Sequence, residues 1–443
     1  MNLETIKSNK LGALLSMAIP SIISMVLTSF ITVADGFFTG NYVGKEGMAA
    51  INLGLPIVYL FLAVGLMVAI GGMAIAGIEL GGGDAKKANA VFRQTTAVTI
   101  IISILLAIVI GILLNPIAVI LSAEGLVKNY FVTYYSILLL ELPIMIINSE
   151  LGMFIRAEGK AQYFMVTNIV NVVLNILLDY SFLKYFGLGI SGIAYGSVIA
   201  AVISLVLNII FFVKLSDTYK FGKFTFDKEV FKQGIANGFS EFIGEISMCL
   251  TMFAYNFVLM HRFGADSVTA FTIVGYVSYV FSMIIVGFGQ GMSPLVSFTY
   301  GAKDYETCFK LRKISSQFCI GAGIVVIVFL AVVSKSYCHA FIKDEAVLEI
   351  TNQGVLIFMT SFLFTGYNTI SSFFFTSIGK AKESAVISSL RGFILILLFI
   401  FTLPIAFGLT GIWLVAPVTE AITAVVCIIY LSKQEKLPQP NLS

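Results

Sequence analysis

The sequence predicts an all-α polytopic membrane protein, with twelve transmembrane helices in two six-helix lobes related by a pseudo-two-fold axis along the membrane normal. Three observations carry this. Hydrophobic residues make up 58% of the 443 and charged residues only 12%, apolar runs long enough to cross a bilayer recur along the whole chain, and the second half repeats the first. Soluble domains carry about 25% charged residues, so the chain has too little polar surface for water. The net charge of +3 lies in the connections, with no basic cluster beside an aromatic platform, and no nucleic-acid partner is expected.

A helix needs about 20 apolar residues to span the hydrocarbon core. Such runs fall at 11–39, 47–78, 88–113, 128–153, 162–184, 190–214, 230–260, 265–299, 311–334, 346–375, 383–405 and 410–431. The first follows a polar start, Met1 to Lys10, and is too long for the apolar core of a secretion signal, so it is a span. Within it Pro20 removes a backbone donor and permits a bend. Gly71-Gly72 in the second run and Gly287-Phe288-Gly289-Gln290-Gly291 in the eighth suit close helix approach. If the N-terminus is cytoplasmic, 21 of the 27 Lys and Arg residues, Arg391 at a helix end among them, lie on the inside. The positive-inside rule therefore puts both termini in the cytoplasm and the protein in the inner (cytoplasmic) membrane.

The halves repeat with a constant register. Tyr42 to Ala50 aligns with Arg262 to Ala270, Gly81-Gly82-Gly83-Asp84 with Gly301-Ala302-Lys303-Asp304, Asn148 with Asn368, and Gly159-Lys160-Ala161 with Gly379-Lys380-Ala381, all at an offset of 220. Phe186-Gly187-Leu188 matches Phe407-Gly408-Leu409 one residue later. Register held over about 120 residues marks an internal duplication. Six spans per half make both halves enter the membrane in the same sense, which gives an axis along the membrane normal. The expected units are an N-lobe at 1–214, a cytoplasmic linker at 215–229 and a C-lobe at 230–443.

Intramembrane polar residues are the candidate working parts. Asn171, Asn175 and Asp179 recur every four residues in the fifth run and so share one helix face. An Asp at the centre of a membrane helix costs roughly 2.5–3.5 kcal/mol, so this stripe should face a cavity or a partner helix. Asp35 stands near the outer end of the first run, at similar depth to Asp179. Two carboxyls in one dry pocket call for a proton or a cation between them. Oxygen ligands from Asp35, Asn175, Asp179 and the Ser197 hydroxyl suit a hard cation such as Na⁺. At the repeat offset Asp35 faces Tyr255, Asp179 faces Phe399 and Asn175 faces Leu395, which puts this cation-coupling site in the N-lobe alone. Glu241 and Glu245, one turn apart in the seventh run, Glu420 in the twelfth, and Glu141 beside Pro143 in the fourth are substrate-cavity candidates. Glu150, Glu158 and Glu79 are expected to be solvated at cytoplasmic ends. Phe, Tyr and Met faces could receive apolar cations by stacking.

The chain resembles the multidrug and toxic compound extrusion (MATE) family, with its bacterial DinF-like and MepA-like branches nearest. The resemblance rests on Pro20 fifteen residues before Asp35, Gly44 through Ala50, Gly81-Gly82-Gly83-Asp84, Tyr300-Gly301-Ala302, Arg156-Ala157-Glu158-Gly159 and Asn175-Ile176-Leu177-Leu178-Asp179. It implies a V-shaped, monomeric exporter of small amphipathic organic cations, working by alternating-access antiport against Na⁺ or H⁺ and needing no other cofactor. It also implies that Asp35, Asn175 and Asp179 form the cation site, with Ser197 where relatives often carry Thr.

Other classes fit less well. A lipid-linked oligosaccharide flippase of the same wider superfamily is the alternative, but it needs a cationic cavity, and no Lys or Arg is expected deep in a span. The loop after the second run, Gly81 to Ala90, lacks the G-x-x-x-D-R-x-G-R signature of major-facilitator transporters. An enzyme or an ATP-driven pump has no support, since no nucleophile motif or phosphate loop is present. The five cysteines, Cys249, Cys308, Cys319, Cys338 and Cys427, show no metal spacing, and His261 and His339 stand alone. Transport, if that is the work, is secondary.

Overall fold

A computed structural model describes residues 1–435; residues 436–443, with Lys436, lie outside the described residues. Ten long apolar helices run Lys10–Tyr42, Lys45–Gly81, Ala85–Ile120, Gly125–Ala157, Ala161–Lys184, Ile190–Leu215, Lys228–Phe263, Ala265–Gly301, Tyr305–Phe341 and Val347–Ser377. The last stretch, Ala381–Glu435, is two helices. Gly408 breaks it with φ 59° and ψ −139°, a conformation open to glycine and strained for other residues. The result is twelve spans among the described residues, here numbered in chain order. Several outlast the apolar runs because their ends are capped beyond the hydrocarbon. Asp84 accepts the Lys87 amide at 2.9 Å, Asp304 the Thr307 amide at 3.3 Å, and Asp227 the Glu229 amide at 2.9 Å. Each cap satisfies an orphan donor of a helix's first turn.

The backbone itself repeats. Positive φ recurs at Gly44 and Gly264, at Gly83 and Lys303, and at Gly159 and Gly379, each pair 220 apart, then at Gly187 and Gly408, 221 apart. The extra residue belongs to a π-helical turn, Leu390–Ile394, in the eleventh span. A π-turn is one residue inserted into an α-helix. Beyond it the C-lobe partners of Asn175 and Asp179 are therefore Ile396 and Ile400, not Leu395 and Phe399. Both are apolar, so the two lobes still differ in the same way.

The spans form two six-helix lobes in a V. Inter-lobe packing pairs the second span with the seventh, the first with the eighth, and the second with the eighth. Glycine lets backbones touch there. A Cβ on Gly238 would strike the Met67 carbonyl, one on Gly71 the Gly234 carbonyl, and one on Gly291 the Ala18 backbone. All three contacts lie in the halves of these spans nearest the chain termini. Toward the opposite face the first span exposes Phe30, Val33 and Phe37, and the seventh Met252, Phe253 and Phe257. The lobes thus close on the terminal side and part on the other. Lys7 adds an ion pair to Asp304 at 3.4 Å across the closed end.

The connection between lobes is strapped to the first of them. Glu158 accepts hydrogen bonds from the Thr218 amide at 3.0 Å and the Tyr219 amide at 2.9 Å, and from the Ser216 hydroxyl. Tyr219 is buried against Phe92 and Phe154. The Gln94 side chain pairs with the Asp227 backbone at 2.8 and 3.0 Å. Glu158 is thus a buried anchor rather than a solvated residue. Glu150 is also fully buried, accepting from Thr96 at 2.9 Å, while Glu79 pairs with Lys87 at 2.7 Å.

The glycine contacts make a direct expectation. Gly238→Leu forces the seventh span off Met67 and should destabilise the protein by about 1–3 kcal/mol, as overpacking does. A lower midpoint in detergent thermal unfolding checks it; an unchanged midpoint would mean the lobes do not meet there.

Candidate functional site

The fifth span packs between the first and the sixth, and this brings the predicted N-lobe residues together. Asp179 is fully buried, and its carboxyl lies beside that of Asp35. Gly196 makes the room, since a Cβ there would overlap Asp179 Oδ1. Asn175 donates from Nδ2 to Ser197 Oγ at 3.1 Å, which leaves its own Oδ1 free. Asp35 Oδ1, both Asp179 oxygens and Asn175 Oδ1 are buried without a hydrogen-bond partner. Four orphan oxygens converging from two helices are costly unless something cationic or a proton joins them. Asn171, a turn nearer the terminal side, is half-buried and takes no part in these bonds.

Two further groups complete the pocket. Glu141 lies within electrostatic range of Asp35. Tyr134, which the sequence reading missed, is buried with Asp35, Glu141 and Asp179 all in range of its hydroxyl. The signal was present: Tyr134 and Glu141 are seven residues apart, two turns on one face. Among the described residues no cluster of three or more His, Cys, Asp or Glu could hold a metal. Two carboxylates with an amide and a hydroxyl instead offer hard oxygen donors, suited to an alkali cation or a proton.

The C-lobe differs. Tyr255, at the position of Asp35, is buried and stacks on Phe271 with centroids 4.4 Å apart. Arg391 projects from the π-turn and is not at a helix end. Its Nη2 donates to Glu420 Oε1 at 2.7 Å and its Nη1 to Thr369 at 2.6 Å, while Asn368 donates to Glu420 Oε2 at 2.6 Å. Glu420, expected to line the substrate cavity, is therefore committed to an internal ion pair. Glu241 lies in range of both Glu245 and Arg391, and Glu245 in range of Tyr59 and Tyr279. Pro20 is buried within the first span, fifteen residues before Asp35 on the same unbroken helix.

The Arg391–Glu420 pair predicts non-additive stability. Arg391→Leu alone strands a buried carboxylate and should cost about 3–5 kcal/mol, whereas Arg391→Leu with Glu420→Leu should recover most of it. Thermal midpoints of the three proteins check this.

The fold has counterparts among known proteins. The MatE family profile matches twice, at residues 20–181 and 242–402, once in each repeat. The multidrug export protein MepA of Staphylococcus aureus (strain bovine RF122 / ET3-1) is 24% identical over 434 residues, covering 96% of this chain and 94% of the relative. A solved structure described as MATE in the straight conformation superposes with a TM-score of 0.90 at 19% identity, covering 95% of each chain. Another, described as the outward-facing conformation of a multidrug resistance MATE family transporter of the MOP superfamily, gives 0.89 at 20% identity, again covering 95% of each chain. With most of both halves matched by one family, this multi-pass membrane chain belongs to the MatE family of transporters.

Proposed function

We propose that the protein exports small amphipathic organic cations by alternating-access antiport, driven by Na⁺ or H⁺ at the Asp35–Asp179 site. The observation that carries this reading is the set of orphaned, buried oxygens on Asp35, Asn175 and Asp179. A site so built is poor when empty and ionised, and good when a proton or a hard cation fills it. The name of the MepA relative, multidrug export protein, supports the substrate class.

With both termini cytoplasmic, as the distribution of Lys and Arg favours, the V opens outward. The coupling ion then enters from outside, and filling the site changes the packing of the first span around Pro20. Ion and drug shift the lobes only through their different affinities for the two states. Residues 1–214 and 230–443 act as the two moving bodies. The linker, 215–229, travels with the first body through Glu158, Gln94 and Tyr219, so the pivot falls near Asp227. The flippase alternative needs free positive charge in the cavity; Arg391 is neutralised by Glu420, which favours export.

The test is ethidium efflux from proteoliposomes, driven separately by a Na⁺ gradient and a pH gradient. Asp35→Asn and Asp179→Asn should each slow driven efflux by about tenfold or more under the coupling gradient. Intact, gradient-dependent efflux in either variant would sink the assignment.

A further inference from the structure

The connection between the lobes is more than a strap. From Tyr219 to Lys228 it reads Tyr-Lys-Phe-Gly-Lys-Phe-Thr-Phe-Asp-Lys, three lysines interleaved with three phenylalanines. This is a basic cluster beside aromatic side chains, which the sequence reading missed. The loop is held in one shape against the terminal-side end of the third span. Arg93 Nε donates to the Lys220 carbonyl at 2.8 Å and Nη1 to the Lys223 carbonyl at 3.4 Å, while the Lys220 amide donates to Asn89 Oδ1 at 2.8 Å. Gly222 lies so close over the guanidinium that a Cβ there would come within 2.8 Å of Arg93 Cζ. The pairing of Gln94 with Asp227 closes the far end.

The spans on either side fix the level of this loop. The sixth span ends with Val213 and Leu215 exposed, and the first large apolar side chain that the third span exposes is Ile100, followed by Ile101, Ile104 and Leu105. Hydrocarbon therefore begins near Ile100, seven residues or about 10 Å from Arg93, and the loop bound to Arg93 lies in the headgroup layer. Phe221 roots the loop, with its ring centroid 5.6 Å from that of Phe92 and 5.5 Å from that of Phe212. The other two phenylalanines are left over. Phe224 is 42% exposed, and Phe226, although it meets Phe231 at 5.5 Å, is 55% exposed. Lys220, Lys223 and Lys228 are exposed with no ion-pair partner among the described residues. Bare rings beside free ammonium groups are poorly placed in water. They suit a membrane interface, where rings reach the acyl boundary and ammonium groups meet phosphates.

We propose that residues 220–228 bind anionic phospholipid of the leaflet on the terminal side, with Lys220, Lys223 and Lys228 on headgroup phosphates and Phe224 and Phe226 inserted at the acyl boundary. By the distribution of Lys and Arg this is the cytoplasmic leaflet, whose negative surface attracts basic segments beside spans. The level of the loop selects lipid over nucleic acid, because its rings have hydrocarbon within reach. Lys228 is the first residue of the seventh span. Bound lipid thus ties the start of the second lobe to the same leaflet as the strap on the first. The inference is independent of what the protein transports.

Phe226→Trp in the full-length protein reports on the loop, since the single natural tryptophan, Trp413, is fully buried and gives the background. The variant is placed in phosphatidylcholine vesicles holding increasing amounts of phosphatidylglycerol brominated near the top of its chains. The added fluorescence should be blue-shifted, and quenched at a low mole fraction of the brominated lipid. Lys220→Gln with Lys223→Gln and Lys228→Gln should raise the mole fraction at half-quenching about tenfold or more. Lys303→Gln with Lys313→Gln and Lys382→Gln, which removes as much charge from exposed sites elsewhere on the same side, should leave it unchanged. The wild type gives a readout that needs no substitution: Lys220, Lys223 and Lys228 should be acetylated more slowly in vesicles containing phosphatidylglycerol than in phosphatidylcholine alone, as read by peptide mass spectrometry. Tryptophan emission typical of water and quenched by iodide instead of brominated lipid overturns the proposal. So do equal shifts from the two lysine sets, which mean attraction by net charge alone. Equal acetylation rates in the two vesicles overturn it whether or not the variants fold.

Discussion

Backbone contact between the lobes, made possible by glycine, is the constraint on which the rest of this structure depends. Lipid tails are as apolar as the helices, so little hydrophobic force drives helices together in a membrane, and close packing of small residues does much of that work. Here the contacts are confined to one end: Gly71 with Gly234, Gly238 with Met67, and Gly291 with Ala18. Larger residues toward the other end keep the lobes apart. One tight end and one open end make a V.

The two-fold repeat relates the two lobes, and departures from it make them chemically different. Symmetry pairs Gly77 with Ser297 across the axis. Asp35 against Tyr255, and Asp179 against Ile400, break it, and most of the buried carboxyl oxygens without a hydrogen-bond partner lie in the N-lobe. The C-lobe handles its charge differently. A single inserted residue makes the π-turn that carries Arg391, and Arg391 neutralises Glu420. One lobe thus keeps buried carboxyl oxygens without partners, and the other pairs a buried carboxylate with its own arginine.

Much of this was legible in the chain. Twelve apolar runs, the midpoint and the N-lobe residues Asp35, Asn175, Asp179 and Ser197 follow from span length, register and the rarity of charge in a membrane. The misreadings share one cause. Glu150 and Glu158 were expected in water because they stand near a helix end, yet Thr96 and the folded-back linker bury them. Arg391 was expected at a helix end and Glu420 in the cavity. Their pairing depends on a π-turn, and periodicity in a single sequence does not reveal one inserted residue.

By itself the sequence determined the spans, the duplication and which residues were too polar to face lipid, because these depend on local composition and on one helix's periodicity. Tertiary structure alone decided which polar residues meet. Asp35 and Asp179 are 144 positions apart, and only the packing of the first span on the fifth makes them one site. Glu141 and Tyr134 came within range of that site, and Glu420 met Arg391, each through the relative placement of whole helices. The physical reason is that a helix's face is written in its own residues, whereas the partner that face meets is fixed by the packing of all the others.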